Sequence, residues 1–168
     1  MKVGLQTPTP MDEQAFMSYT QDFEDNMETI QPIELRLEGR SYAAWFVDQV
    51  SHYLVKPENW VSYKTYFYWD NGEIVAAITL RRELNESLQY NGGHIGFAVR
   101  PSRRYYRIEN ELFGAILPEA KALAGGSLLV CCEKQNTKLN EAVISNGGVL
   151  EEEMFSGGVE ICRYRINA

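Results

Sequence analysis

Residues 91–148 read NGGHIGFAVRPSRRYYRIENELFGAILPEAKALAGGSLLVCCEKQNTKLNEAVISNGG, and this stretch decides the fold of the 168-residue chain. Apolar residues alternate as far as Val99, recur at helical spacing after residue 107, and form an unbroken run over 128–132. A second helical segment, which Asn136 or Thr137 is expected to cap, ends at a pair of glycines. The patterns predict a strand, a helix, a strand buried on both faces and a second helix, in that order.

Basic residues gather where the first of these strands becomes a helix. Four arginines fall within eight residues of a chain whose net charge is −7: Arg100, Arg103, Arg104 and Arg107. The free amides and positive dipole end of a helix start suit anionic oxygen. The turn therefore predicts a docking site for a phosphate-bearing ligand. The alternative is a solvated helix start whose arginines pair with Glu109 or Glu111.

Three short motifs in this stretch carry a family resemblance: GHIG at 93–96, VRPS at 99–102 and NGG at 146–148. Together they resemble the acetyl-CoA-binding core of the GNAT superfamily of N-acetyltransferases, in a bacterial branch with GHIG-x-x-VRPS and N-G-G. The resemblance implies an α+β fold whose central mixed sheet carries helices on both sides. In that fold two parallel central strands splay apart and CoA enters the gap. Here they would be residues 93–100 and 127–133, within a single domain spanning 1–168.

The resemblance also implies a binding site for acetyl-CoA as co-substrate. The pyrophosphate would lie against residues 104–109, and the pantetheine arm would lie between the main chain of Val99 and Asn136; the implied contact residues are Val99, Arg104, Arg107, Ile108, Glu109 and Asn136. The family loop reads R/Q-x-x-G-x-G/A because glycine lets backbone approach phosphate closely. Here Arg107 and Glu109 replace the two small residues, adding bulk and negative charge. We expect acetyl-CoA to bind weakly.

The catalytic groups are less clear from the sequence. The tyrosine that many GNAT enzymes use as general acid would fall at Val143, which cannot donate a proton. Acetyl transfer needs a base for the acceptor ammonium, and Glu133, at the end of the buried strand, is the candidate. Its alternative is an exposed strand-end carboxylate. His94 is expected to be a core histidine, and no metal-ligand spacing occurs among the histidines and cysteines.

Two function hypotheses follow. The first is an acetyl-CoA-dependent N-acetyltransferase acting on the amine of a small molecule, an amino acid or a peptide. The second is a GNAT-fold protein with impaired acetyl-CoA chemistry that acts as a binding or interaction module. An acidic cluster would form one wall of an amine pocket in the first case and a solvated face otherwise: Asp22, Glu24, Asp25 and Glu28.

The composition limits the classes of ligand and the cellular compartment that fit this chain. A pI of about 4.9 argues against broad nucleic-acid binding, which needs a basic face. No apolar run is long enough for a membrane helix, and no signal peptide is expected at the N-terminus. The three cysteines, Cys131, Cys132 and Cys162, predict buried thiols in a reducing cytoplasm without a disulfide framework. A homodimer is compatible with the sequence.

The rest of the chain is predicted from local signals. Asn71-Gly72 between two β-rich runs predicts a hairpin of residues 65–69 and 73–82. Helices are expected from the Thr9-to-Glu13 region to about Phe23 and over 41–53, with a polar excursion at 84–90. A closing hairpin is expected from residues 149–154 and 159–166.

Overall fold

The structure is a computed structural model that describes residues 1–106 and 108–168, with only the backbone described for Tyr105 and Tyr106. The predicted α+β class is confirmed by a chain that alternates helices and strands and forms one four-stranded and one three-stranded sheet. The chain divides into two compact units, Met1–Thr79 with Gly96–Tyr106, and Leu80–Ile95 with Arg107–Ala168. The single domain expected over 1–168 stays a prediction.

The first unit contains two helices and most of the four-stranded sheet. The elements of this sheet and its helices, in chain order, are β1 (Gly4–Gln6), α1 (Glu13–Asp25), α2 (Tyr42–Leu54), β2 (Tyr63–Asp70), β3 (Glu73–Arg81) and β4 (Ile95–Val99). The strands lie side by side in the order β1-β2-β3-β4. Buried aromatic rings from α1, α2 and β2 form the core of this unit, and the rings of Trp45 and Phe67 stack with centroids 6.2 Å apart.

The hairpin of β2 and β3 confirms the prediction made from Asn71-Gly72. Both turn residues have positive φ, 48° at Asn71 and 76° at Gly72. A two-residue hairpin turn of this kind needs positive φ at both positions, which asparagine and glycine tolerate best. The sequence therefore fixes this connection locally.

The second unit contains three helices and the three-stranded sheet. Its elements are α3 (Glu86–Tyr90), α4 (Glu109–Ala124), β5 (Leu128–Glu133), α5 (Thr137–Ser145), β6 (Val149–Ser156) and β7 (Val159–Ile166). The central strand β7 pairs antiparallel with both β5 and β6, as the closing-hairpin prediction requires for β6. The short helix α3 stands where a polar excursion was expected. Asn85 caps it by accepting a hydrogen bond from the Leu88 amide at 2.8 Å.

The strands formed by residues 93–100 and 127–133, expected to be parallel neighbours that splay apart, lie in different sheets, and their relative direction stays a prediction. The strand β4 belongs to the four-stranded sheet, whereas β5 belongs to the three-stranded sheet and pairs there with β7. An isolated antiparallel bridge joins Gly93, which precedes β4, to Val130 of β5. At this bridge Gly93 has a φ of +68°, and a Cβ added there would lie 2.3 Å from the Leu129 carbonyl oxygen, so the position requires glycine.

No helix among residues 1–106 and 108–168 combines the length and the apolar character that a membrane span requires.

Candidate functional site

The buried member of the arginine turn is Arg100, which directly follows β4. Its Nε lies 2.7 Å from Oδ2 of Asp22, and its Nη1 lies 2.8 Å from Oε1 of Glu73. The same Asp22 oxygen accepts hydrogen bonds from the Ser102 amide at 3.1 Å and the Ser102 hydroxyl at 2.6 Å. Burial alone would raise the pKa of Asp22, but the hydrogen bonds from Arg100 and Ser102 outweigh it, so the pKa lies below its ordinary value.

The next two arginines also contact carboxylates of the first unit. They lie in a short 3₁₀ helix, Pro101–Tyr106. Arg103 contacts Asp70 at 3.3 Å and Glu73 at 2.8 Å. Arg104 contacts Glu28 at 2.7 Å. The positive charge that predicted a phosphate site is thus matched by acidic residues from elsewhere in the chain. Arg107 lies outside the described residues.

The main chain of Val99 is already engaged. Val99 is the last residue of β4 and is buried. Its carbonyl oxygen accepts a hydrogen bond from Nε of Arg104 at 3.0 Å. A pantetheine contact at this carbonyl therefore requires Arg104 to share or leave it. The acidic residues expected to line an amine pocket are likewise partly occupied, since Asp22 and Glu28 bind Arg100 and Arg104.

The helix start in the second unit carries its own negative charge. Ile108 occupies the N-cap position of α4, where its apolar side chain cannot accept from a backbone amide. Glu109 is the first helical residue and is buried, and Glu111 also lies in the first turn. A carboxylate is favoured at a helix start for the same electrostatic reason as a phosphate. Glu109 is therefore placed to compete with an anionic ligand.

A cleft of about 300 Å³ opens beside this helix start, within the second unit. Its lining combines the start of α4 with one face of α5: Glu109, Asn110, Lys138, Glu141, Ala142 and Ser145. The α5 residues recur at helical spacing, with Lys138, Glu141 and Ser145 three and four residues apart. Lys138 was not predicted from the sequence, although this spacing places it on the same face as the other lining residues.

The start of α5 is held by two asparagines. Asn136 caps the helix, with its Oδ1 accepting a hydrogen bond from the Leu139 amide at 3.3 Å. Asn140 is buried and donates from Nδ2 to the carbonyls of Asn136 at 2.8 Å and Glu133 at 2.9 Å. Its Oδ1 accepts from the Tyr164 hydroxyl at 2.6 Å. Asn140 was not predicted from the sequence, because two of its three partners, Glu133 and Tyr164, lie on other elements.

Tyr164 is a structural hydroxyl in this arrangement. Burial, with smaller contributions from Cys162 and Cys132, raises the pKa of Tyr164 to about 12. The hydroxyl therefore stays protonated at neutral pH and donates to Asn140. This buried hydrogen bond ties β7 to the start of α5.

Three further residues were considered from the sequence: Glu133, Val143 and His94. Glu133 ends β5 with an exposed side chain. Val143, at the position of the family tyrosine, is fully buried. His94 accepts a hydrogen bond at Nδ1 from the Leu129 amide at 3.0 Å, and burial lowers its pKa. His94 is thus a neutral structural histidine. In the part of the chain that the structure describes, no group of three His, Cys, Asp or Glu residues could hold a metal ion.

Comparison with known proteins gives similarity at the level of structure only. No protein-family model and no curated protein matches the chain by sequence. An N-acetyltransferase from Staphylococcus aureus Mu50 superposes with a TM-score of 0.66 at 16% identity, over 99% of this chain and 99% of that one.

Two further structures bear on the ligand and the family. A Bordetella pertussis protein assigned to the GNAT family of acetyltransferases superposes with a TM-score of 0.65 at 10% identity, over 96% of this chain and 93% of that one. The yncA protein of Salmonella typhimurium, whose structure contains its cofactor acetyl-CoA, gives a TM-score of 0.62 at 12% identity, over 97% and 92%. The chain therefore has the fold of the GNAT acetyltransferases, as its sequence motifs predict.

Proposed function

We propose that this protein is an acetyl-CoA-dependent N-acetyltransferase that acetylates the amine of a small molecule, an amino acid or a peptide. The observation that carries the proposal is the full-length likeness of its fold to acetyltransferases, one of them with acetyl-CoA bound. The free cysteines and the acidic composition support a cytoplasmic location and a cationic acceptor.

The cleft in the second unit supplies the chemistry for the CoA phosphates. The first backbone amides of an α-helix have no partner within the helix and point outwards along its axis, where they can bind an anion. In α4 these positions begin at Ile108 and Glu109. Lys138 adds an ammonium group from the facing helix. Two carboxylates, of Glu109 and Glu141, oppose it. The balance favours weak binding of a polyanion, and Asn136 remains the proposed polar contact for the pantetheine arm.

Within the arginine turn, Arg104 has the ion pair that costs least to break, so it is the arginine best able to bind a phosphate. The side chains of Arg104 and Glu28 are 42% and 40% exposed, and exposed ion pairs contribute only about 0–1 kcal/mol. Arg104 can therefore exchange Glu28 for a phosphate at little cost. Arg100 is 7% exposed and its partner Asp22 is 10% exposed, so releasing it would strand a buried charge. We propose Arg104 and Val99 as CoA contacts.

The chemistry requires attack of a neutral amine on the thioester carbonyl, with CoA leaving as a thiol. A base must first take a proton from the acceptor ammonium. Glu133 is the proposed base, because its carboxylate is exposed at the end of β5. Val143 leaves no tyrosine at the family position, so the departing sulfur would take its proton from another group or from solvent.

One observation favours a second candidate, a GNAT-fold binding module without acetyl-CoA chemistry. The three described arginines of the turn contact carboxylates of the chain itself, and a buried Glu109 stands at the helix start. These contacts occupy the groups that a phosphate would use. In this reading the fold is kept and the cofactor is lost.

A thermal-shift titration with acetyl-CoA separates the two candidates. Free ligand at about 100 times its Kd stabilises the native state by about 2.7 kcal/mol, so a concentration-dependent rise in Tm is expected. Release of free CoA from acetyl-CoA, followed by chromatography over a panel of amines, then tests catalysis. No Tm rise at millimolar acetyl-CoA would overturn the enzyme proposal in favour of the binding module.

Two charge reversals locate the site. Lys138→Glu removes the ammonium group from the cleft and should abolish the Tm rise. Lys121→Glu is the matched control, because Lys121 lies in the last turn of α4, outside the cleft lining. Equal losses in both variants would show a general charge effect and would refute the cleft as the phosphate site.

A further inference from the structure

Two of the three cysteines face each other across the three-stranded sheet. Cys132 on β5 lies directly opposite Cys162 on β7 in the antiparallel ladder, whereas the neighbouring Cys131 lies opposite Arg163. Directly opposed residues of an antiparallel pair project to the same face of the sheet. The side chains of Cys132 and Cys162 therefore share one face and are both buried, at 5% and 4% exposure.

The ladder places the two cysteines within reach of a covalent bond. The Lys134 amide donates to the Glu160 carbonyl at 2.9 Å, two residues further along the same ladder. Hydrogen-bonded positions recur every second residue, so Cys132 and Cys162 form such a pair, with Cα atoms about 5.5 Å apart. Disulfides span Cα separations of about 4.4–6.8 Å. A disulfide also requires Cβ atoms about 4 Å apart, so β5 and β7 must approach each other by about 1 Å at this pair.

We infer that Cys132 and Cys162 form a reversible disulfide under sustained oxidation by hydrogen peroxide. One thiolate attacks the peroxide oxygen, which breaks the O–O bond and gives a sulfenic acid and, after protonation, one water. The second thiol then attacks the sulfenic sulfur, which forms the S–S bond and releases a second water. Each cysteine loses one hydrogen, and the peroxide is reduced to two waters. The required strand approach strains the bond, which makes it easier to reduce.

Access to the pair comes through opening at the end of the sheet. Burial, followed by the neighbouring Cys131 and Cys162, raises the pKa of Cys132 to about 12, so the closed sheet holds little thiolate. Cys132 is the residue before the last of β5, and β5 is an outer strand in the order β5-β7-β6. Strand ends open locally at far lower free energy than the whole domain. Oxidation is therefore slow and responds to prolonged exposure.

The disulfide would act on the start of α5. Glu133, next to Cys132, accepts from Asn140 through its carbonyl, and Tyr164, two residues after Cys162, donates to the same asparagine. Drawing the two strands together therefore moves both anchors of Asn140. The helix that carries the Asn136 cap is expected to shift with them.

Peptide mapping of the intact protein tests the inference. Cys131→Ser removes the partly exposed neighbouring thiol, so that any intramolecular link must join Cys132 and Cys162. After prolonged hydrogen peroxide treatment and alkylation in denaturant, the two free thiols of this variant should fall to none, with one linked peptide pair. Dithiothreitol should restore both thiols, and the circular dichroism spectrum should stay that of the folded protein.

The matched controls are Cys132→Ala and Cys162→Ala in the Cys131→Ser background. Each keeps one thiol and should give no linked peptides within one chain. The inference is overturned if the Cys131→Ser protein stays at two thiols under peroxide, or if it oxidises only to sulfinic acid or to links between chains. These readouts do not depend on acetyl-CoA, so they stand or fall apart from the proposed function.

Discussion

The arginine turn and the start of α5 both belong to the stretch that decides the fold, yet they are held in opposite ways. Arg100 and Arg104 are bound by carboxylates 78 and 76 residues away along the chain. Asn136 is bound by an amide three residues away. The first region is built from distant parts of the chain, whereas the second is built mainly from its own turn.

The difference teaches how far a charge pattern in a sequence can be interpreted. Four arginines beside a helix start predict an anion site only while their charge is free. In the structure, Asp22, Glu28, Asp70 and Glu73 contact the three described arginines. A helix cap can be predicted without knowing the tertiary structure, because its donor and acceptor are separated by three residues. Variants in the two regions should therefore differ in size and in kind.

The largest effect is expected from Arg100→Met. The substitution keeps much of the side-chain volume but leaves the buried Asp22 carboxylate without its guanidinium partner. Removing one partner of a buried ion pair costs about 3–5 kcal/mol. The low end is expected, because Ser102 still donates two hydrogen bonds to Asp22. Urea unfolding followed by circular dichroism measures the loss.

Arg165→Met is the matched control for that loss. Arg165 contacts Glu151 at 3.0 Å, and the two side chains are 35% and 40% exposed. Exposed pairs of this kind contribute about 0–1 kcal/mol. If both variants lost the same free energy of unfolding, the buried network around Arg100 would not be what stabilises the turn.

Acid should weaken the same network. The pKa of Asp22 lies below its ordinary value in the folded protein, so its contribution is fully present above the unfolded pKa of about 3.9. It is lost as the pH falls through the lower, folded pKa. Urea midpoints measured from pH 6 downwards should therefore decline less steeply in Asp22→Asn than in the wild type. An Asp22→Asn curve parallel to the wild-type curve would contradict the linkage.

A smaller effect is expected at the α5 start, from Asn136→Ala. The variant loses the side-chain acceptor for the Leu139 amide, and loss of an N-cap costs about 1 kcal/mol. Asn136→Asp keeps an acceptor and should restore most of the stability. Urea unfolding is again the measurement, and an Asp variant as unstable as the Ala variant would argue against a capping role.

The sequence predicted the local features of the fold well and the non-local ones poorly. The Asn71-Gly72 hairpin, the Asn136 cap and the helix expected over 41–53 all follow from patterns within a few residues. The strand partners of β4 and β5 did not follow from the sequence, because a crossover connection fixes handedness and default direction but not which strands are hydrogen-bonded neighbours. At the candidate site, the Asn136 cap is confirmed, whereas the ligand contacts expected of Glu109 and Asn136 from the motifs stay predictions.

The partners of the arginines, and the cleft residue Lys138, depend on how distant segments meet. No local spacing in the sequence reveals that Asp22 accepts a hydrogen bond from Arg100, or that Asn140 accepts one from the Tyr164 hydroxyl. The same limit applies to the cysteines. Their register across β5 and β7 is a property of the strand pairing, and adjacent Cys131 and Cys132 give no sign of it.

The smallest effect is expected from Glu109→Gln, and it bears most directly on function. The substitution removes a negative charge from a buried position at the start of α4 while keeping the side-chain shape. Opposing charges in the cleft act at an effective dielectric between those of water and protein, so we expect acetyl-CoA affinity to rise about 2- to 10-fold, or about 0.4–1.4 kcal/mol. The helix loses a favourable dipole interaction of about 0.3–1 kcal/mol in exchange, which should appear as slightly lower stability without ligand. Calorimetric titration measures the affinity.

Glu111→Gln, in the same turn but outside the cleft lining, is the control and should leave affinity nearly unchanged. A Glu109→Gln protein that binds acetyl-CoA more weakly than the wild type would mean that the carboxylate assists the ligand, and the helix start would then have to be seen as a working site with a variant loop.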